Sequence, residues 1–359
     1  MDKKHNKKES EKSKENKTEV VKTPQNNTNS SPVQKDLSKD IAKYMHTFDE
    51  IRKEISTLVV GQKEVVDAMI LGLLCNGHCL VEGVPGIGKT LTIRTMSKIM
   101  GCEFSRIQFT PDLLPSDIVG ITAYDEKKGF YTVKGAIFSN FVLADEINRA
   151  PPKVQSALLE AMQERQVTIG KETFKLPEPF FVMATQNPVE NLGTYTLPEA
   201  QVDRFLFKII MKYPSVDEEG QILRQNMTLF KFEKFKIKPV FNQKSIMEIQ
   251  DFVKEIYLDK KVEDYIVKII DATRNPKKYG VKLGQYMEFG ASPRGTIALY
   301  IASKAKALIS GRGYVTPQDV KEVSHIVLRH RLTLNYEGQA EEVDVDTVID
   351  EILSCVPIH

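Results

Sequence analysis

Four short apolar runs mark the first part of the chain: His78–Val81, Arg106–Phe109, Phe141–Ala144 and Phe180–Ala184. Their near-continuous apolar character predicts strands buried on both faces. Segments of helical spacing separate several of them, as in Leu91–Met100. Strands alternating with helices give a parallel α/β sheet with helices on both faces. Upstream, the spacing predicts a helix from Ile41 to about Leu58, a turn at Val59-Val60-Gly61-Gln62, and a second helix to Asn76. After Tyr213-Pro214 the period changes. Ser245–Leu258, Val262–Thr273, Thr296–Ile309 and Pro317–Arg329 are all amphipathic at helical spacing, which predicts a smaller all-helical domain. The expected division is therefore an α/β domain over 40–214 and a helical domain over 215–359. Two strand-like pairs interrupt the first domain. Ile121–Val133 alternates on either side of a charged, glycine-containing turn, and Gln166–Phe174 does the same, so both read as β-hairpins. Residues 1–39 carry Lys, Glu, Asn and Ser with almost no large apolar side chains, a composition expected to stay disordered.

Composition narrows the field without naming a chemistry. The chain has 359 residues, 41% of them hydrophobic, and a formal net charge of +2. Such a chain can bury a large core. Near-neutrality gives no overall electrostatic case for nucleic acid or acidic lipid, so any polyanion contact would be local, for example at the lysines of the tail. No apolar stretch reaches the length of a membrane span, and the sequence opens Met1-Asp2-Lys3-Lys4-His5 with no apolar leader, which points to the cytoplasm. The four cysteines, Cys75, Cys79, Cys102 and Cys355, form no disulfide framework. Cys79 falls in a buried strand, which argues against zinc at Cys75-Asn76-Gly77-His78-Cys79.

Chemistry enters at Gly83-Val84-Pro85-Gly86-Ile87-Gly88-Lys89-Thr90, a complete G-x-x-x-x-G-K-T loop between a predicted strand and a predicted helix. Glycines let backbone N–H groups converge on phosphate oxygens, Lys89 supplies a cation for the β/γ-phosphates, and Thr90 offers a hydroxyl to Mg²⁺. Val84, Pro85, Gly86, Ile87 and Gly88, with Leu91 in the helix behind, are the expected nucleotide contacts. The strand Phe141–Ala144 ends in Asp145-Glu146. Asp145 can join Thr90 in the Mg²⁺ shell, and Glu146 can orient and deprotonate the attacking water. Phe180–Ala184 leads to Asn187-Pro188, where Asn187 could hold the water or the γ-phosphate. Arg204 is a candidate source of transition-state charge. Arg294 follows Ser292-Pro293, an N-cap and first-turn pair, so it opens a helix of the second domain. A cation in that first turn opposes the helix dipole unless an anion lies nearby.

The run Val142-Leu143-Ala144-Asp145-Glu146-Ile147-Asn148-Arg149-Ala150-Pro151-Pro152-Lys153-Val154-Gln155-Ser156-Ala157-Leu158-Leu159-Glu160-Ala161-Met162-Gln163-Glu164-Arg165 resembles the Walker B segment and following helix of the MoxR family of AAA+ ATPases, and the likeness extends over roughly 48–357. The resemblance implies a P-loop NTPase core followed by a helical lid, with ATP and Mg²⁺ as cofactors. It implies that Val60, Gly61 and Gln62 lie by the adenine, that Asn187 is sensor 1, and that Arg204 is a finger acting on a neighbour's ATP. Arg294 would be sensor 2, reaching its own subunit's nucleotide from the lid. The hairpin at about 120–135 would be the insert in helix 2 shared with magnesium-chelatase motor subunits, and both hairpins would face the ring pore or a partner. Gly135-Ala136 departs from the family's usual Gly-Pro, at a place remote from the chemistry.

The function expected from this resemblance is ATP hydrolysis by a homo-oligomeric ring, a hexamer, acting as a chaperone-like maturation factor on a protein client with a von Willebrand factor A domain. A nucleic-acid motor is the alternative, since helicases share this core. The chain carries no helix-turn-helix, zinc module or aromatic-rich basic groove segment to support it. A scaffold that binds ATP without turnover is a third reading, against which stand Glu146 and Arg204, residues that a pure binder does not need.

Overall fold

In the computed structural model, the chain is described over residues 37–358 apart from 128, 188–192, 226–231, 233–234 and 236. The expected tail lies outside these residues up to 36. Its last positions, Ser38 and Lys39, already belong to the first helix, α1 (Ser38–Ser56), which is followed by α2 (Lys63–Leu74) and β1 (Cys79–Glu82). Then come α3 (Lys89–Ile99), β2 (Phe104–Gln108), α4 (Pro115–Val119) and an exposed hairpin of β3 (Gly120–Asp125) and β4 (Gly129–Lys134). The chain re-enters the core as β5 (Phe141–Asp145) and α5 (Pro152–Glu164), forms a second hairpin from β6 (Gln166–Ile169) and β7 (Glu172–Lys175), and returns as β8 (Phe181–Gln186). A short α6 (Glu199–Val202) leads to β9 (Phe207–Ile210) and α7 (Val216–Gln225).

β1, β2, β5, β8 and β9 form one parallel sheet in the order β2-β5-β8-β1-β9. The alternation of side chains across it explains the continuous apolar runs. Phe141 and Leu143 of β5, Phe181 and Met183 of β8, and Cys79 and Val81 of β1 point into one apolar cluster. Val142, Ala144, Val182, Ala184 and Leu80 point into the cluster on the other face. Four of the five strands match the apolar runs to within two residues at each end. The fifth, β9, is four residues long and carries Lys208, whose Nζ pairs with Glu82 Oε2 at 2.7 Å. Lys208 interrupts the apolar run and disguises the strand in the sequence.

The second domain contains α8 (Gln243–Glu255), α9 (Lys260–Arg274), α10 (Pro276–Tyr279), β10 (Met287–Phe289), α11 (Pro293–Ile309), α12 (Pro317–Leu328), β11 (Thr333–Leu334), α13 (Tyr336–Ala340) and α14 (Val345–Cys355). The four expected helices are present, each starting zero to three residues before its expected first residue. The expectation of a purely helical domain needs one amendment, because β10 and β11 form a small antiparallel pair. Pro at the first helical position and a Ser, Asp or Asn cap start several of these helices. Ser292 Oγ accepts from the Arg294 N–H, and Asn242 and Asp259 cap α8 and α9 in the same way. The lid seats on the first domain through α2, where the Gln250 amide donates to the Leu73 carbonyl at 2.7 Å.

Candidate active site

The crossover that carries the chain from β1 to the far edge at β2, and later back to β9, leaves a crevice at the carboxyl end of β1, where ligands bind in open α/β sheets. The phosphate loop occupies it. Gly86 (φ 84°) and Gly88 (φ 91°) are left-handed, and a Cβ on either would meet nothing within 4 Å. These glycines are needed for backbone shape, and the open space they face is where phosphate oxygens fit. Helix α3 starts at Lys89, so its first N–H groups and its positive dipole end face the same space. Lys89 Nζ donates to the Gly83 carbonyl at 2.7 Å.

Beside the loop lies a cavity of about 660 Å³. Val60, Gln62, Pro85, Gly86, Ile87, Gly88 and Leu91, all expected nucleotide contacts, line it. Leu58, Val59, Tyr213, Pro214, Ile222 and Leu223 complete an apolar wall that sequence reasoning missed, because the last four come from the far side of the chain, after β9. Such a slot suits a purine base. Val84, Lys89 and Thr90 belong to the adjoining loop and first helical turn. Gly61 (φ 66°) lies against Glu218, whose carboxylate a Cβ would meet at 2.7 Å, and Gln62 Nε2 donates to the Lys212 carbonyl at 2.9 Å. The turn is thereby fastened to the segment leading into α7.

The carboxylates stand at the same edge of the sheet. Asp145 is buried, and its Oδ1 accepts from the Thr185 hydroxyl at 2.7 Å while Oδ2 accepts from Arg106 Nη2 at 2.6 Å and Nε at 3.1 Å. Thr185 Oγ1 in turn accepts from the Glu146 N–H at 2.8 Å. Glu146 is left-handed (φ 58°), a conformation costing a non-glycine residue roughly 1–2 kcal/mol. It turns the chain sharply after β5, so the two carboxylates leave the strand on different courses. Glu146 Oε2 accepts from Gln108 Nε2 at 2.7 Å and pairs with Arg149 Nη1 at 3.4 Å. Asn187 is buried and follows the Gln186 whose carbonyl accepts from the Gly83 N–H; its partner in the expected turn, Pro188, lies outside the described residues. Thr185, Arg106, Gln108 and Arg149 were not anticipated. The signal for two of them was present: Arg106 and Gln108 are polar residues two apart on a strand, hence on one face, beside the strand that ends in Asp145-Glu146.

The donor set fits ATP with Mg²⁺. Thr90 and Asp145 are hard oxygen donors of the kind Mg²⁺ takes alongside substrate phosphates; they would hold the ion, which would supply charge neutralisation. Lys89 and the α3 N-terminus could then bind the phosphates, Glu146 could act as the base for water, and Asn187 could fix the water's position.

The two arginines stand elsewhere. The Leu206 N–H donates to the His78 carbonyl at 2.8 Å, which puts Arg204 level with the start of β1, about 16 Å of strand away from the phosphate loop. Arg294 lines a small cleft of about 80 Å³ with Arg204, His78, Met162 and Gln163. The expectation that Arg294 reaches its own subunit's nucleotide is therefore corrected. It shares the opposite edge of the sheet with Arg204 because the N-terminus of α11 is docked there, through Ser292 and Asp203, whose Oδ2 accepts from Ser292 Oγ at 2.8 Å.

Two histidines at this edge are buried and neutral. Burial, then the nearby Arg165 charge, lowers the pKa of His78 to about 3, while burial and then Arg331 hold His330 well below its usual value. Between pH 6.5 and those lowered values the unfolded chain binds protons that the folded chain refuses. Stability is thus complete above about pH 6.5 and falls with acidification, by ~1.4 kcal/mol per pH unit for each histidine. The melting temperature is expected to drop steadily from pH 7 to pH 5, and His330→Gln to flatten that slope; a variant with an unchanged slope would remove His330 from the effect.

Residues 78–207 match the model for the ATPase family associated with various cellular activities (AAA), and residues 284–352 match the AAA lid domain. The chain is 46% identical over 321 residues to the chaperone MoxR1 of Mycobacterium tuberculosis, covering 89% of this chain and 84% of that one. It is 43% identical to the uncharacterized protein YeaC of Bacillus subtilis (85% and 93% covered) and 28% identical to the protein MoxR of Paracoccus denitrificans (90% and 99% covered). A crystal structure of a candidate ATPase from Cytophaga hutchinsonii superposes with a TM-score of 0.84 at 44% identity, over 89% of this chain and 97% of that one. With the phosphate loop, the strand-end carboxylates and the helical lid in place, the chain belongs to the MoxR family of AAA+ ATPases.

Proposed function

We propose that the protein is a ring-forming, cytoplasmic, Mg²⁺-dependent ATPase that remodels or matures a protein client carrying a von Willebrand factor A domain. One observation carries the ring: the phosphate loop, Asp145 and Glu146 lie at the carboxyl edge of the sheet, whereas Arg204 and Arg294 lie at the amino edge. A single subunit then has two half-sites, and a head-to-tail neighbour completes each of them. In this reading Arg204 and Arg294 both act in trans, and their guanidinium groups stabilise charge on the transferring phosphoryl group. The relatives named chaperone MoxR1 and protein MoxR support a protein client. Among the described residues no helix is long and apolar enough to cross a membrane.

The Glu146→Gln chain, saturated with ATP, tests both parts. It is expected to assemble into a closed ring by sedimentation, to retain a von Willebrand factor A domain protein, and to release it once ADP replaces ATP. A persistent monomer in ATP would reject the ring. If instead DNA stimulated wild-type ATPase several-fold in a salt-sensitive manner, the nucleic-acid motor would replace the chaperone.

A further inference from the structure

Three consecutive lid residues grip the main chain that carries Arg204. Arg329 Nη1 donates to the Lys208 carbonyl at 3.0 Å, and His330 Nε2 meets the Phe205 carbonyl at 3.0 Å. Arg331, whose side chain is only 2% exposed, donates through Nη2 to Phe205 O at 2.7 Å and through Nη1 to Leu206 O at 3.1 Å. A buried guanidinium needs a counter-charge. Asp203 supplies it, with Oδ1 accepting from Arg331 Nε at 2.9 Å.

The other oxygen of the same carboxylate faces the helix that carries Arg294. Oδ2 accepts from Ser292 Oγ at 2.8 Å and lies 3.6 Å from Arg294 Nη1. Ser292 Oγ is itself the acceptor for the Arg294 N–H at 3.1 Å. One carboxylate is thus bonded to the lid on both sides and is adjacent in sequence to Arg204. The bases of the two arginines are fastened together, although they are 90 positions apart in the chain and in different domains. Their heads are not buried: Arg204 and Arg294 are exposed residues rising from this fastened base.

We propose that Asp203 is a positioning residue that sets the spacing between Arg204 and Arg294, so that the two cations are presented to a neighbouring subunit's nucleotide as one rigid pair. This rests on the trans reading of both arginines. If Asp203 only glued the lid to the core, its loss would damage every property of the subunit alike. If it positions the pair, its loss damages what the subunit gives to its neighbour and spares what it receives. The subunit's own phosphate loop, some 16 Å of strand away, keeps its geometry.

The experiment compares Asp203→Asn, Ser292→Ala and Arg204→Ala in the full chain, each alone and mixed with Glu146→Gln subunits. Asp203→Asn is expected to hold the KM for ATP within about threefold and to lose tenfold or more in kcat. Adding Glu146→Gln subunits, which have intact arginines, is expected to restore activity at mixed interfaces. Ser292→Ala removes the Asp203 tie to α11 together with that helix's N-cap, and leaves the Asp203–Arg331 pair. It should lower kcat likewise, and Ser292→Thr, which keeps the hydroxyl, should recover it. Wild-type turnover in both Asp203→Asn and Ser292→Ala would overturn the inference. So would an Asp203→Asn defect that Glu146→Gln subunits fail to rescue while they do rescue Arg204→Ala. Failure to rescue Arg204→Ala itself would instead bring down the trans reading and this inference with it.

Discussion

A chain carrying Arg204→Ala is expected to bind ATP as the wild type does and to hydrolyse it roughly 10³–10⁵-fold more slowly, the range in which arginine fingers act. Binding should survive because Arg204 stands at the amino edge of the sheet, where, among the described residues, its side chain makes one long hydrogen bond, 3.4 Å from Nη1 to the Leu159 carbonyl. Little packing is lost with an exposed side chain, so a large fall in kcat without a fall in melting temperature separates a catalytic role from a structural one. Steady-state kinetics with a nucleotide-binding titration would check it. A KM effect without a kcat effect would place Arg204 outside the transition state.

Glu146→Gln is expected to lower kcat by roughly 10²–10⁴-fold, the usual contribution of a positioned general base, with ATP affinity unchanged. The substitution is nearly isosteric, and its amide oxygen can still accept from Gln108, so the turn after β5 is kept. What is lost is the proton acceptor. Single-turnover hydrolysis and binding of a non-hydrolysed analogue would separate the two quantities, and normal turnover would remove Glu146 from the chemistry. The neighbouring network favours Glu146 over Asp145 as the proposed base. Asp145 is buried, with both oxygens engaged by Thr185 and Arg106, whereas Glu146 is half-buried and engaged at a single oxygen.

Much of this site was legible because it is local in sequence. A buried strand followed by glycines, by Asp-Glu or by Asn announces itself without knowledge of the fold, and Lys89, Asp145, Glu146 and Asn187 all end up at one edge of the sheet. What was illegible depends on which elements meet. The apolar wall of the nucleotide cavity comes in part from Tyr213, Pro214, Ile222 and Leu223, which approach the loop only because β9 pairs with β1. Strand β9 is illegible in the sequence because Lys208, which pairs with Glu82, interrupts its apolar run. Arg294 was correctly read as opening a helix capped by Ser292, but a cap says nothing about where the helix docks. That is decided by the grip of Arg329, His330 and Arg331 on residues 205–208. The helix α14, Val345–Cys355, was overlooked because acidic residues on its outer face break up an otherwise apolar stripe of Val348, Ile349, Ile352 and Leu353.

The apolar cluster on one face of the sheet continues without interruption from Phe48 and Ile51 of α1, through Met69 and Leu73 of α2 and Phe141 and Phe181 of the strands, into Ile249, Ile266, Leu299, Val327 and Ile349 of the lid. The sheet domain and the helical lid therefore differ in architecture but share one interior. Neither half has a finished surface where they meet, so a chain cut there would expose apolar side chains of α2 that the lid now covers. A single cooperative melting transition is therefore expected for the sheet and the lid together.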